Sequence, residues 1–351
     1  MPTDTRLAPP PAALRLDIDR GALRSNWQAL DRLSGAARAG AAVKANGYGV
    51  GARLVVPELR AAGCRDFFVA HMAEAAELLD LVEPASLGVL HGPLGDADAR
   101  WMVEAGVRPV INTLAQARRW LAAGGGACDL MVDTGINRLG LPMGDLGDAT
   151  VAALQVDVLM SHLASAEDVS QLNGIQLSRW QEVRGQVSHR RASLANSAGI
   201  ALGADYHGDL TRPGLALYGG VPCEDLAGSI RQVVRPQAAI MQVRHLSPGE
   251  TVGYNATFQA DRPMRVGTIA LGYADGYLRC WSGKGMVHAK GHDLPVLGRI
   301  SMDMTVIDVS DAPELSEGDW VEVEYELPAA AAATGLSQYE LLTLLGRRFG
   351  R

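Results

Sequence analysis

This 351-residue chain lacks most of the features that assign a sequence quickly. It has four cysteines, Cys64, Cys128, Cys223 and Cys280, and no CxxC pair. That spacing leaves a cysteine zinc site without support and makes a disulfide framework improbable in a chain of this length. Positive charge is not in excess: Lys and Arg number 32 against 39 Asp and Glu, a formal net charge of -7. A broad nucleic-acid footprint needs a basic surface, and so does attraction to anionic membranes. No apolar run reaches the ~18 residues of a membrane span. The N-terminal "MPTDTRLAPPPAALRLDIDR" has no apolar segment of signal-peptide length. These absences lead us to expect a reduced, cytoplasmic globular protein with no membrane partner, no nucleic-acid partner and no metal. Its 48% hydrophobic and 20% charged residues are ordinary, and its length allows two domains.

What is present is an alternation. Short apolar runs between about residues 38 and 218 are "AGAAVKAN", "RDFFVAH", "SLGVLHG", "VRPVINT", "CDLMVDTG", "VDVLMSHLA", "RASLANSAG" and "HGDLTRPG". Amphipathic stretches such as "ARLVVPELRAAG", "MAEAAELLDLV" and "LSRWQEVRGQV" separate them. Strand–helix alternation implies parallel strands with crossover helices, and eight units fit a (β/α)8 barrel. The runs end in Lys44, His71, His91, Asn112, Asp133, His162, Asn196 and Arg212. In a barrel those residues gather on the C-terminal face, where active sites of this fold lie.

Beyond about residue 230 the helical period fades and β-type stretches follow, punctuated by Gly and Pro. The fold class expected is therefore α/β: an N-terminal (β/α)8 TIM barrel with a C-terminal, mostly β domain. The boundaries read as 1–232 and 233–351, with a first strand near 14–19 that could join either domain. Ser337 and Glu340 form a capping-box pattern before a late helix, and "LPAAAAATGL" reads as a loop or insertion.

Lys44 poses the chemical question. "GYGVGA" (47–52) matches the dinucleotide pattern G-x-G-x-x-A, but the next strand ends in His71 where that pattern needs an acid. A lysine at a strand end can instead lose its charge by burial and form an imine with a carbonyl. Pyridoxal phosphate needs such a lysine, donors for a phosphate and a partner for the pyridine nitrogen. Tyr48, the "NSAG" segment with Asn196 and Ser197, and "TRPG" with Arg212 and Gly214 supply candidates. Each alone is more simply a turn, a helix cap or a surface arginine.

Together the motifs are specific. "AAVKANGYGVG", "VDTGINRLGL", "SHLASAED", "LANSAG", "TRPGLALYGG", "VGYNATF", "LGYADGY" and "GRISMDMTVIDV" occur in the order of the alanine racemase family, which the whole chain resembles. The resemblance implies an isomerase that interconverts L- and D-alanine by a two-base mechanism on a pyridoxal 5'-phosphate imine. It makes Lys44 the cofactor lysine and one base, and Tyr254 the opposed base. An ordinary phenol keeps its proton at neutral pH, so a positive neighbour is required. Arg138 falls on the family arginine that supplies it and reaches the substrate carboxylate. Arg212 falls on the residue facing the pyridine nitrogen, and His162 on the one beside the ring that bonds this arginine. Tyr48, Asn196, Ser197 and the N–H groups of Gly214 and Leu215 fall at the cofactor phosphate. Tyr273, Met302 and Asp303 match residues of the substrate entrance and carboxylate pocket. The resemblance further implies a homodimer in which the β domain of one subunit completes the barrel site of the other.

One position departs from the family. Many members carry a lysine two residues before the "DTG" aspartate, whose carbamylated form orients the arginine. Here that position is Met131. A small anion or another side chain is then expected to hold Arg138. A serine or broad-specificity racemase is the nearest alternative, because a methyl and a hydroxymethyl differ little in a hydrophobic pocket. A decarboxylase of the same architecture would put an acid where Arg212 stands, and a non-catalytic cofactor carrier would not need both Lys44 and Tyr254. The residues do not decide between D-alanine synthesis for a cell wall and L-alanine breakdown.

Overall fold

The computed structural model describes residues 12–350, which form two compact units. One runs from Asp19 to Val233. The other joins the N-terminal segment up to Ile18 with the chain from Val234 onward. The link is β1 (Leu14–Ile18), an antiparallel neighbour of a strand 220 residues later, Leu14 beside Ala238 and Ile18 beside Val234.

The first unit opens with α1 (Arg20–Leu33), capped by the Asp19 carboxylate, which accepts the Ala22 N–H at 2.7 Å. It presents Leu23, Trp27 and Leu30 to the interior, all almost fully buried. Next come β2 (Arg38–Ala39) and β3 (Ala41–Ala42), a strand interrupted at Gly40, and the one-turn α2 (Lys44–Tyr48). The alternation continues with α3 (Ala52–Ala62), β4 (Phe67–Val69), α4 (Met72–Ala76), β5 (Leu87–Val89), α5 (Asp96–Ala105), β6 (Arg108–Ile111), α6 (Leu114–Ala122), β7 (Ala127–Asp133) and β8 (Leu141–Pro142). It ends with α7 (Ala149–Ala152), β9 (Gln155–Met160), α8 (Gln171–Gln186), β10 (Arg191–Ser193), α9 (Ser197–Ala201) and β11 (Leu210–Thr211). All neighbouring strands on the path β3-β4-β5-β6-β7-β9-β10 run parallel. β11 pairs in parallel with β2, and the Asp209 and Arg212 N–H groups donate to the Ala192 and Ala195 carbonyls beside β10. The barrel therefore closes, and the eight apolar runs are its eight strands. They are legible because a parallel strand is covered on both faces and reads as a continuous apolar run. The segment "MAEAAELLDLV" is helical only to Ala76 and then turns.

The N-terminal end of the barrel is closed by charge. Arg108 reaches Asp66, Asp129 and Asp157 at 3.2–3.5 Å, and Arg191 bonds Asp66 and Asp157 at 2.8 Å. Arg190 also pairs with Asp157, so three carboxylates meet three guanidiniums there, and burial pushes Asp129 up to about 6 against the pull of Arg108.

The second unit holds β12 (Val234–Leu246), β13 (Thr251–Val252), β14 (Phe258–Gln259), β15 (Met264–Ile269), β16 (Met286–Ala289), β17 (His292–Leu297), β18 (Thr305–Asp308) and β19 (Trp320–Val323). The order β12-β15-β18-β17-β16-β19 returns to β12, so this antiparallel sheet also closes on itself, with β1 at its side. Two helices follow. The alanine-rich stretch expected to be a loop is α10 (Leu327–Thr334), with Pro328 in its first turn and Gly335 left-handed at its end (φ 77°). Alanine's helix propensity decides that segment. α11 (Gln338–Thr343) starts at the Ser337–Glu340 capping box. Among the described residues no helix is long and apolar enough to cross a membrane.

Candidate active site

The polar residues at the eight strand ends all follow their strands at the same end of the parallel barrel. Lys44 stands two residues past β3, at the start of a backbone turn of unusual hand. Ala45, Asn46, Gly47, Tyr48 and Gly49 have φ of 53°, 52°, 64°, 53° and 83°. Left-handed backbone costs an L-residue about 1–2 kcal/mol, so the surroundings must hold this turn in place. The Gly47 N–H donates to the Val43 carbonyl at 2.9 Å, and the Gly51 N–H to the Asn46 carbonyl at 2.8 Å. The Asn46 side chain caps α3 through the Ala52 N–H at 2.9 Å, and the Ala45 N–H donates to Glu74 at 2.6 Å. Strain of this kind, over-determined by its neighbours, gathers at functional sites. Burial holds the Lys44 amine below the usual lysine range, and Arg138 and then Arg212 add to that shift while Glu74 opposes it.

The turn delivers Tyr48 to a cradle. Its ring stacks on Tyr218 with centroids 4.8 Å apart, and the Tyr218 hydroxyl donates to the Ala42 carbonyl at 2.9 Å. Gly214 lies so close that a Cβ there would overlap the Tyr48 hydroxyl. Across from it, Ser197 Oγ accepts the N–H groups of Gly214 (2.9 Å) and Ala216 (3.2 Å). Leu215 lies between them and is buried. Asn196 caps α9 by accepting the Gly199 N–H at 2.8 Å, which fixes where Ser197 starts the helix. The Tyr48 phenol and the Ser197 hydroxyl are a donor pair that matches an oxyanion, and the missing Cβ at Gly214 is what admits the phenol.

Arg212 enters the same barrel end from the strand before the cradle. It is buried and donates to the Ser193 carbonyl (2.9 Å), the Ser193 hydroxyl and the Ser161 carbonyl (2.6 Å). Burial pushes it down to about 10, with Asp129 opposing, so it stays a cation at neutral pH. His162 is held neutral: burial, with Arg212, Arg138 and Lys44, pushes it down to about 3.

Among the described residues the Arg138 side chain makes no ion pair or hydrogen bond, so the expected side-chain partner is not found within one chain. The Met131 side chain is buried in an apolar cluster with Phe68, Val110, Val158, Met160 and Leu210. The backbone of the Arg138 loop is braced instead. Asp133 Oδ1 accepts the Gly135 and Ile136 N–H groups at 2.7 and 3.0 Å, and Thr134 is bonded by Ser161, Gln176 and Arg179. Gly140, at φ 134°, brings the loop back against β7, and β8 pairs with it.

The remaining expected residues lie in the second unit. Tyr254 sits in a turn between β13 and β14 and is 66% exposed, beside an open hollow of about 570 Å³ lined also by Arg244, Arg299 and Met304. Met302 is 53% exposed. The turn of Tyr273 and the loop of Met302 are stitched together, the Tyr273 and Ala274 N–H groups donating to the carbonyls of Ser301 and Met302 at 3.0 Å. Sequence reasoning missed Tyr218, Glu74 and Arg348. Tyr218 lies in the quoted "TRPGLALYGG", while Glu74 and Arg348 sit in segments whose sequence carries no signal of their bonds.

A closed parallel barrel with a buried lysine at its rim, followed in the chain by an antiparallel β unit, is the architecture of a class of two-unit enzymes. Residues 18–222 match the model of the alanine racemase N-terminal domain, and residues 233–351 that of its C-terminal domain. The chain belongs to the alanine racemase family. It is 42% identical to the alanine racemase of Acidiphilium cryptum over 350 residues, covering 96% of this chain and 97% of that one. It is 40% identical to the biosynthetic alanine racemase of Agrobacterium fabrum, covering 97% and 93%. Among solved structures, the alanine racemase of Bartonella henselae with covalently bound pyridoxal phosphate superposes with a TM-score of 0.88 at 35% identity, covering 97% and 99%.

Proposed function

We propose that this protein interconverts L- and D-alanine with pyridoxal 5'-phosphate held at the barrel rim. The observation that carries the reading is the convergence on one barrel end of a lysine with lowered basicity and an oxyanion cradle built by Tyr48, Ser197 and Gly214. When bound, pyridoxal phosphate supplies an electron-withdrawing ring that makes the α-proton of an amino acid removable. Lys44 holds the cofactor and, with its amine freed, takes or returns the α-proton on one face. Its lowered basicity makes the neutral amine more accessible than in an ordinary lysine. Tyr254 serves the opposite face. The Tyr48 and Ser197 hydroxyls and the Gly214 and Leu215 N–H groups bind the phosphate, and Asn196 sets the helix end that presents Ser197. Arg212, still a cation at neutral pH, would face the pyridine nitrogen without protonating it, and the ring would then withdraw less charge than a protonated one. His162, neutral, packs beside that arginine without adding charge. Arg138 lowers the proton affinity of groups near the substrate and meets the alanine carboxylate, with Met302, Tyr273 and Asp303 shaping the pocket.

The protein acts as a homodimer in which Tyr254, Tyr273 and Met302 serve the barrel of a second copy. The exposure of Tyr254 and Met302 within one chain supports this. Cytoplasmic residence suits its four free cysteines. The test is a racemisation assay on the holoenzyme across alanine, serine and larger amino acids. Alanine turned over with the highest kcat/KM supports the reading. A preference for serine or a larger side chain replaces it with the broad-specificity alternative.

A further inference from the structure

We propose that Arg348, in the C-terminal tail, is a positioning residue for alanine binding that ties together the loop of Tyr273 and the loop of Met302 and Asp303. The proposal rests on the reading that these loops line the substrate pocket. The Arg348 guanidinium donates from Nε and Nη2 to the two oxygens of Asp275, at 2.6 and 2.9 Å, and from Nη1 to Asp303 at 2.7 Å. Asp275 closes the Tyr273 turn: its Oδ2 also accepts the Gly272 N–H at 3.0 Å, and its side chain is fully buried. Asp303 is half-exposed and follows Met302 directly. The tail is fastened to the same turn by backbone. The Gly346 N–H donates to the Asp275 carbonyl at 3.1 Å, and Gly276, at φ 94°, leaves room for the Leu344 carbonyl.

Arg348 thus bridges the tail and both loops with one planar group. A fork that serves one carboxylate with two N–H bonds and a second with a third is a geometry lysine cannot copy. The charge matters as much as the geometry. Asp275 and Asp303 together bring two negative charges to loops that must admit an alanine carboxylate. The guanidinium offsets one of them and turns the Asp303 oxygen toward itself. Without it, Asp275 is a buried charge lacking its partner, and Asp303 is free to repel the incoming carboxylate. The effect falls on alanine binding, because Arg348 bonds Asp275 and Asp303 and neither of the proton-moving groups, Lys44 and Tyr254.

The experiment compares Arg348→Ala and Arg348→Lys holoenzymes with the parent. Arg348→Ala is expected to raise KM for alanine about tenfold with kcat within about twofold, and Arg348→Lys to raise KM about threefold. The KM increase shrinks at high ionic strength, where exposed charges are screened. Cofactor affinity stays unchanged. An unaltered KM in either variant, a KM shift indifferent to salt, or loss of cofactor along with activity overturns the proposal. If Arg348→Ala does not fold, Arg348→Lys alone decides. The tie is also read without substrate: amide exchange at Gly272 and Ala274 quickens in the variants, and unchanged exchange there overturns it. A parent enzyme that does not racemise alanine sinks the functional reading instead, while the exchange result still tests the tie.

Discussion

The two units prepare their chemistry in opposite ways. In the barrel, Arg212, Ser197, Tyr48 and Tyr218 are buried and bonded before anything binds. In the β unit, Tyr254 and Met302 are exposed and Tyr254 sits on a short turn with left-handed residues at Asn255 and Ala256. Burial lets the barrel tune charge, lowering Lys44 and holding His162 neutral. The β unit does not desolvate its own Tyr254. The contrast teaches that one half of the proposed site, in the barrel, is finished by burial, whereas the other, in the β unit, lies on the surface.

Four changes would break or sharpen that contrast. Lys44→Ala removes the finished half's reactive atom. Racemisation should fall by at least about 10³-fold, as for loss of a covalent and basic group together. Borohydride treatment followed by mass spectrometry should find no cofactor fixed to the chain, and fixation elsewhere would refute the assignment. Tyr254→Phe tests the exposed half and should cost about 10²–10³-fold. Because the two enantiomers have equal energy, kcat/KM must drop equally in both directions. The faces are told apart by α-deuterium exchange with solvent, which should survive better from D-alanine than from L-alanine. Equal exchange from both would reverse the roles assigned.

Gly214→Ala puts a methyl where the cradle has none to spare. Overpacking there should weaken pyridoxal phosphate binding by about tenfold or more, a cost of ~1–3 kcal/mol, measured by cofactor titration with the dimer intact. The smallest effect is the pH shift in Arg138→Met, which tests charge tuning. Removing a positive neighbour raises the Lys44 proton affinity, so the neutral amine appears at higher pH. The pH midpoint for cofactor uptake by the apoprotein should move upward; a downward move would show that Arg138 does not act on Lys44 through charge.

Parts of this site were legible before folding because single residues carried them. Lys44 interrupts an apolar run, and Arg212 ends another. The cradle was named piece by piece, as Tyr48, Ser197 and Gly214, but no spacing says that residues 48 and 214 touch. Tyr218 was hidden in a motif quoted for its arginine and glycine, because stacking leaves no periodic trace. Glu74 accepts N–H groups from Ala45 and Ala70, a bond pattern set by backbone geometry 29 residues apart in one case. A side-chain partner for Arg138 is not found among the described residues, for the opposite reason. Side-chain chemistry asks for a charge where Met131 replaces the carbamate, whereas the fold packs that methionine into an apolar cluster and braces the Arg138 loop by its backbone.

By itself the sequence determined the barrel's strand count and the two architectures, and it named the candidate reactive residues, since those depend on hydrophobic period and on side-chain chemistry at one position. The tertiary structure alone decided the left-handed turn beyond Lys44, the stacking of Tyr48 on Tyr218 and the tie made by Arg348. Those depend on closing a barrel so that its first and last strands meet, and on a tail returning to a turn more than 70 residues back. Such contacts are settled by chain topology, which no local pattern encodes.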